Sequence, residues 1–369
     1  MVRPAPFKVL SLLLSTGLFV SSLAARAHPL DNWHNRYTAP SGQSFLSVTA
    51  SADLFVAVGN QGRVATSPDG VTWTPQTSGT AARLIGSAWG AGTFVAVGDG
   101  GTILSSPNGT NWTARVSGVT ARLHSVRFGN GLFLTAGESF TLLTSPNGAD
   151  WAVQSPGLTF FPYFIACGNG LFLLEGTAPA NVLSADGTNW FQRPSGSTGG
   201  LYTAGFGKGM FLAIDIGNHV LTSTDASNWT QRGSVTVFRP SALVYGNGEF
   251  VVCGDGPPEY SETGVQWTAT PTNLFCTSGG FGQGTFVLAA GSGLWQSDPV
   301  VRLQAPSLGA LALEGPVGRA YRIETIDGLA PTNQWQALTN ITLTTSPQPW
   351  TDPAPPAAAS RFYRAVLLE

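Results

Sequence analysis

The chain has 369 residues, with 18 Lys and Arg against 20 Asp and Glu, a formal charge of −2, and only 10% charged residues. That balance leaves no basic stripe for a nucleic-acid backbone. With 43% apolar residues, 46 Gly and 25 Pro, it excludes a disordered chain and fits a turn-rich all-β protein whose surface is built from uncharged polar residues.

Residues 1–27 have the build of an export signal: Arg3 and Lys8, an apolar run from Val9 to Ala24, and Ala25-Arg26-Ala27 as a small-residue cleavage site. The run holds about 16 residues broken by Ser and Gly, short of the roughly 20 that cross a bilayer. We read cleavage after Ala27, with an uncleaved anchor as the alternative. The mature chain then starts at His28 and keeps 15 basic residues, 14 Arg and Lys208, for a charge of about −5. It is expected in the periplasm, cell envelope or medium, as a monomer without a membrane span.

From here the chain repeats. Trp73, Trp112, Trp151, Trp190 and Trp229 are spaced by 39 residues, with Trp267 one residue early. Phe55, Phe94, Phe133, Phe172, Phe211 and Phe250 keep the same interval, and Phe286 is slightly early, so whole units repeat. One unit, Leu84 to Val116, reads as four short strands, LIGSAWG, TFVAVGD, GTILSS and NWTARV. A Gly-x-Gly such as Gly129-Asn130-Gly131 joins the first two strands, and a Ser-Pro-Asp-Gly such as Ser67-Pro68-Asp69-Gly70 joins the last two. Four antiparallel strands per unit make the blade of a β-propeller.

Units begin near residues 44, 80, 119, 158, 197, 236 and 275, and the seventh stops at Ser297 without its outer strand. Asp31-Asn32-Trp33-His34-Asn35-Arg36 matches Thr110-Asn111-Trp112-Thr113-Ala114-Arg115, so the N-terminal strand, with Trp33, is expected to complete the last blade. The expectation is a seven-bladed propeller over residues 28–300. Residues 301–369 leave the period and alternate like strands through Tyr321-Arg322-Ile323-Glu324 and the closing Arg361 to Leu368. They are expected to form a small C-terminal β-sandwich module.

Cys253 and Cys276 fall in adjacent units, which allows one bridge with Cys167 as a buried thiol; three free thiols are the other reading. No metal-ligand spacing, phosphate loop, nucleophile elbow or cofactor motif is present, so no metal and no cofactor are expected.

The turn Ser67-Pro68-Asp69-Gly70-Val71-Thr72-Trp73 resembles the Asp-box, the bacterial neuraminidase repeat of sialidase-like propellers, within the wider WD40/YVTN-like group, although one residue is missing between Asp and Gly. The turn also drifts: Asp becomes Asn108 and Asn147, and Gly becomes Ala226. The resemblance implies the propeller fold and a structural turn that lies away from any active site, in a family of which many members are not enzymes. The tail resembles a C-terminal module found on many exported bacterial proteins.

A functional site belongs on the opposite face. There the second-to-third connectors differ between copies: Asn60-Gln61, Asp99-Gly100, Glu138-Ser139, Gly176 to Pro179, Gly217-Asn218-His219 and Asp255 to Pro258. The fourth-to-first connectors reach the same face. Eleven positions before the repeat Phe they carry Arg83, Arg122 and Arg239, with Ser44, Phe161, Gly200 and Phe275 in the other copies. His124, Tyr163 and Tyr202 follow on the inner strand. Three guanidinium groups around one opening suit a carboxylate or sulfate, and the tyrosines suit a sugar ring. The bland counterpart is that the arginines pair with Asp99, Glu138 and Asp255 and only order the rim.

The sequence therefore reads as a secreted, non-catalytic binding propeller for a protein or an acidic glycan, with no catalytic residue assigned. The alternative is a carbohydrate-active enzyme, a sialidase-like hydrolase or a lyase, which would assemble Tyr163 or Tyr202 with Glu138 or Glu175 and Asp99.

Overall fold

The repeat folds as a meander because its turns supply left-handed backbone where a two-residue hairpin needs it. In the Gly-x-Gly connectors both the middle residue and the second Gly have positive φ: Asn130 and Gly131 at 51° and 74°, Lys208 and Gly209 at 50° and 73°. The third turn is held by side chains. Asp69 Oδ1 accepts from Val71 N at 2.8 Å and Thr72 N at 3.1 Å, and Ser67 Oγ accepts from Gly70 N at 2.8 Å. Trp73 Nε1 then donates to Gly70 O at 3.0 Å, tying the repeat Trp to its own turn. Trp112, Trp151 and Trp229 repeat that bond to Gly109, Gly148 and Ala226. The carboxylate of Asp69 is thus spent on backbone amides, and those bonds hold it below its ordinary pKa against the opposing cost of burial.

The computed structural model describes residues 9–12, 28–155, 157, 162–176, 180–197, 199–300, 302–307, 310–315, 318–326, 335–352 and 362–368. The cleavage site at Ala25-Arg26-Ala27, Phe161, the Thr177-Ala178-Pro179 connector and Arg361 lie outside them. The described chain is all-β apart from short 3-10 turns.

Two compact units are present. Trp33–Gly282 with Phe286–Gln296 forms the first, and the described residues among 1–32, 283–285 and 297–369 form the second. The first unit is a β-propeller. Its sheets comprise five separate four-stranded meanders and an eight-stranded sheet that divides into two more sets of four. The inner strands, Phe45–Ala50, Leu84–Gly90, Leu123–Gly129, Pro162–Gly168, Leu201–Gly207, Phe238–Gly246 and Leu274–Gly282, touch their neighbours in a closed cycle. Trp33–Thr38 lies beside Gly293–Ser297 as the outer strand of the last set, as the N-terminal match implied. Arg36 Nε donates to Gln296 Oε1 at 2.9 Å across that closure.

Each blade buries its apolar faces against the next. Val95, Val97 and Ile103 of the second blade share a core with Leu123, Val126 and Phe133 of the third, and the repeat Phe residues are at most 2% exposed. Close approach also explains a glycine at the end of the inner strand: a Cβ on Gly90 would lie 2.0 Å from the Phe128 ring of the next blade, and one on Gly168 2.1 Å from Phe206.

The sixth and seventh blades are further joined. Asp255 and Gly256 pair with Phe275 and Leu274, and Cys253 is disulfide-bonded to Cys276. Cys167 is a free, half-buried thiol whose Sγ lies 3.3 Å from Phe128 O, and burial pushes its pKa up. Because the bridge spans 23 residues of chain, loop-closure entropy assigns it about 3 kcal/mol. Replacing Cys253 and Cys276 with Ala together is expected to lower the denaturant midpoint by that much, with the m-value kept; an unchanged midpoint would show the bridge to be energetically idle.

In the second unit, Arg302–Ser307, Ala310–Glu314 and Gln348–Trp350 form one sheet. Ala320–Ile326, Gln336–Thr342 and Phe362–Leu367 form another, together with Val9–Leu12 from the stretch read as leader. Leu311 and Leu313 from the first sheet pack with Tyr321, Ile323, Tyr363 and Ala365 from the second.

Candidate functional site

The same backbone device places the charged residues of the variable face in pairs. In four copies the carbonyl eleven positions before the repeat Phe accepts an N–H from the second-to-third connector: Ser44 O from Asn60, Arg83 O from Asp99 at 3.0 Å, Arg122 O from Glu138 at 2.8 Å and Gly200 O from Ile216. An arginine at that position therefore has the acid of its own blade as a neighbour. Arg122 reaches two acids: Nε lies 2.5 Å from Asp99 Oδ1 on the second blade and Nη1 3.3 Å from Glu138 Oε1 on the third.

His124 is half-buried next to this group, 3.9 Å from Glu138 Oε1, and its ring meets Tyr163 edge-on at 5.4 Å. Burial holds its pKa below the ordinary imidazole value, which keeps it neutral at pH 7. The inner strands explain why these side chains sit together. A β-bulge interrupts the register between Leu123 and Ser125, between Pro162 and Phe164, and between Leu201 and Thr203. His124, Tyr163 and Tyr202 are the extra residues, turned out of the regular alternation.

Arg83, Arg122, His124, Tyr163, Asp99 and Glu138 thus share one segment of the rim, on the second to fourth blades. Tyr202 and Arg239 do not figure among its contacts. Arg239 sits in the irregular stretch of Phe238–Gly246 at a φ of 47°, with its guanidinium 5.2 Å from the Phe238 ring centroid. Arg122 pairs as the rim-ordering reading expects, whereas Arg83 has no ion pair among the described residues.

The acids required by the enzyme reading are distributed differently. Glu175 is 1% exposed inside the fourth blade, away from solvent. Asp99 and Glu138 are engaged by Arg122. Asp215 accepts from Gly217 N, His219 N and Ser197 Oγ, and Glu259 from Thr236 N and Val237 N, so both tie connectors together. Among the described residues no three His, Cys, Asp or Glu side chains are placed to hold a metal ion.

Below the rim the inner strands surround a central chamber of about 210 Å³, open on one side, whose lining includes Arg83, His124, Ser125, Arg127, Thr203, Ser241 and Thr277. A larger space of about 1030 Å³ is an open groove against the outer strand of the second blade, lined by Gly100, Gly101, Trp112 and Ala114 to Ala121, with no carboxylate. Arg127 was not singled out from the sequence. The signal was present: six positions before the repeat Phe the other copies carry Thr49, Ala88, Ala166, Gly205, Val244 and Gly280, and only the third carries a charge.

This geometry defines the class as a β-propeller, and the comparisons agree. The family model described as the DUF6242 beta propeller domain matches residues 15–123. A solved structure of YCF48 bound to D1 peptide is similar at a TM-score of 0.61 and 16% identity, covering 77% of this chain and 100% of that one. The WD40 beta propeller domain of Doa1 gives 0.56 and 13%, covering 72% and 96%, and YCF48 from Cyanidioschyzon merolae gives 0.57 and 14%, covering 72% and 98%. At these identities the likeness is one of fold. No curated protein matches the chain.

Proposed function

We propose that the chain is a non-catalytic binding propeller that takes an acidic segment of a partner protein on the variable face. The carrying observation is the rim cluster: Arg83 without an ion pair among the described residues, Arg122 held between Asp99 and Glu138, and an aromatic ledge of His124 and Tyr163, with Arg83 and His124 also lining the central chamber. A cation with no carboxylate partner on a rigid rim recruits carboxylates from outside, and the aromatic ledge supplies apolar contact. The D1 peptide bound to YCF48 in one of the similar structures supports a protein ligand for a propeller of this shape. Sulfated or carboxylated glycans offer the same anionic groups and are the comparison arm of the test. Arg239 is included in the reading as a second cationic position on the ring. The Ser67 to Trp73 turn, with its amide-capping carboxylate, supports kinship with the Asp-box propellers, where the box is structural.

The test is a thermal-shift screen with acidic peptides and with acidic and neutral oligosaccharides, on the protein and on an Arg83→Ala, Arg122→Ala, Arg239→Ala variant. A ligand at 100 times its dissociation constant stabilises by about 2.7 kcal/mol. The expected result is a shift with acidic peptides that the variant loses. A shift unchanged in the variant would place the site elsewhere.

Export is part of the same reading. His28 N lies 2.6 Å from Asp31 Oδ2, so cleavage after Ala27 would place the new ammonium on a carboxylate already in position. Mass spectrometry of the protein recovered outside the cytoplasm is expected to show a chain starting at His28. A chain retaining Met1 would contradict the cleavage.

A further inference from the structure

Arg127 stands out as a charge that the rim reading does not use. It lies on Leu123–Gly129 with its side chain exposed, and it lines the central chamber formed by the inner strands. Among the described residues its one side-chain hydrogen bond runs from Nη1 to Val126 O at 3.0 Å. Among them, too, no Asp or Glu lines the chamber, and the charged or titratable side chains facing it are Arg83, Arg127 and His124.

Six of the seven copies place a small or apolar uncharged residue at this position, so the fold does not call for an arginine there. A guanidinium that faces a channel without a counter-charge is free to take an anion from outside, and Arg127 has no carboxylate partner among the described residues. Ser125 and Thr203 add hydroxyl groups to the same wall. At about 30 Å³ per water, 210 Å³ has room for roughly seven waters, which suits a small anion.

We propose that the chamber is an anion site for a single carboxylate group, held on the fork of Arg127 with Arg83 and His124 at its entrance. A planar, bidentate acceptor matches a guanidinium better than a spherical halide does. The carboxylate belongs either to a free small acid or to an acidic side chain that a docked partner inserts. This goes beyond the rim reading and stands on a different residue.

The test is calorimetric titration of the full protein with sodium malonate and with sodium acetate at fixed ionic strength, chloride serving as the control. Arg127→Ala installs the residue that two other blades already carry at this position, so the variant is expected to fold; its melting curve verifies that. The expected result is one saturable site for malonate that weakens at least tenfold in Arg127→Ala and persists in an Arg122→Ala, Arg239→Ala variant. A decaglutamate peptide that competes with malonate would identify a partner's side chain as the source of the carboxylate, and one that binds without competing would identify a free acid. Absence of saturable binding, or equal binding in Arg127→Ala, would overturn the site. Loss of malonate binding only in the Arg122, Arg239 variant would also overturn it, and would leave the rim as the place where anions bind.

Discussion

Replacing Trp33 with Ala is expected to cost the propeller about 3–5 kcal/mol, the usual range for emptying a buried aromatic site. Trp33 is 6% exposed and opens Trp33–Thr38, the strand that the N-terminus contributes to the last blade. Its six counterparts sit in blades whose four strands are continuous in sequence, so losing one of them weakens a local meander. Losing Trp33 also loosens the join between the two ends of a ring, and the edge of Gly293–Ser297 then becomes available to water. Denaturant unfolding should show a lower midpoint. A control at Val116, which is 85% exposed, should move stability by less than about 0.5 kcal/mol. Equal small effects at both positions would mean that the ring is not held by its N-terminal strand.

Replacing Glu175 and Asn181 with Val is expected to stabilise the protein, and more so as pH rises. Both residues are 1% exposed, and none of their side-chain oxygens and nitrogens has a hydrogen-bond partner among the described residues. The register Leu174↔Val182 places them opposite each other one step further along the strands. At these two positions the other blades are mostly apolar: Val58 and Val64, Val97 and Ile103, Ala136 and Leu142, Ile214 and Val220. Burial pushes the Glu175 carboxyl up to about 8 from an ordinary 4.5.

Below pH 4.5 that group is protonated in both states and its burial carries no ionisation cost. Between 4.5 and about 8 the unfolded chain releases the proton while the folded one keeps it, so stability falls as pH rises, and above about 8 the loss is complete. The total is on the order of 5 kcal/mol. The double variant should lack this slope, and its advantage over the parent should grow from pH 4 to pH 9. Parallel pH profiles for parent and variant would show that Glu175 is ionised in the fold or paired with another group.

The fold was legible because the period of the aromatics and the chemistry of two turns repeat together. Even the ring closure could be read, since Trp33 to Arg36 copies a strand missing elsewhere. The site was legible only in part. Arg122, His124 and Tyr163 do meet, but through bulges that no local sequence pattern marks, and Arg239 lies on an irregular stretch that breaks the equivalence the alignment assumed. The Cys253–Cys276 bridge depended on the pairing of Asp255 with Phe275, a contact between blades that the repeat does not encode. Arg127 and Glu175 were visible as departures from an otherwise neutral column of the repeat. Arg127 lies in a strand interior, where the repeat shows no variable connector to mark it, and Glu175, a candidate acid in the enzyme reading, gives no sign in sequence that it is buried.

The central claim is that ligand binds on the face of the variable connectors. Hydrogen exchange of the protein with and without a saturating acidic decapeptide tests it most directly. The account predicts protection confined to Asp99–Gly101, the segment around Arg122 and His124, and the connector at Glu138 to Thr141. Protection at the Ser67 to Trp73 turn and its repeats, with those connectors unchanged, would put the ligand on the opposite face and contradict it.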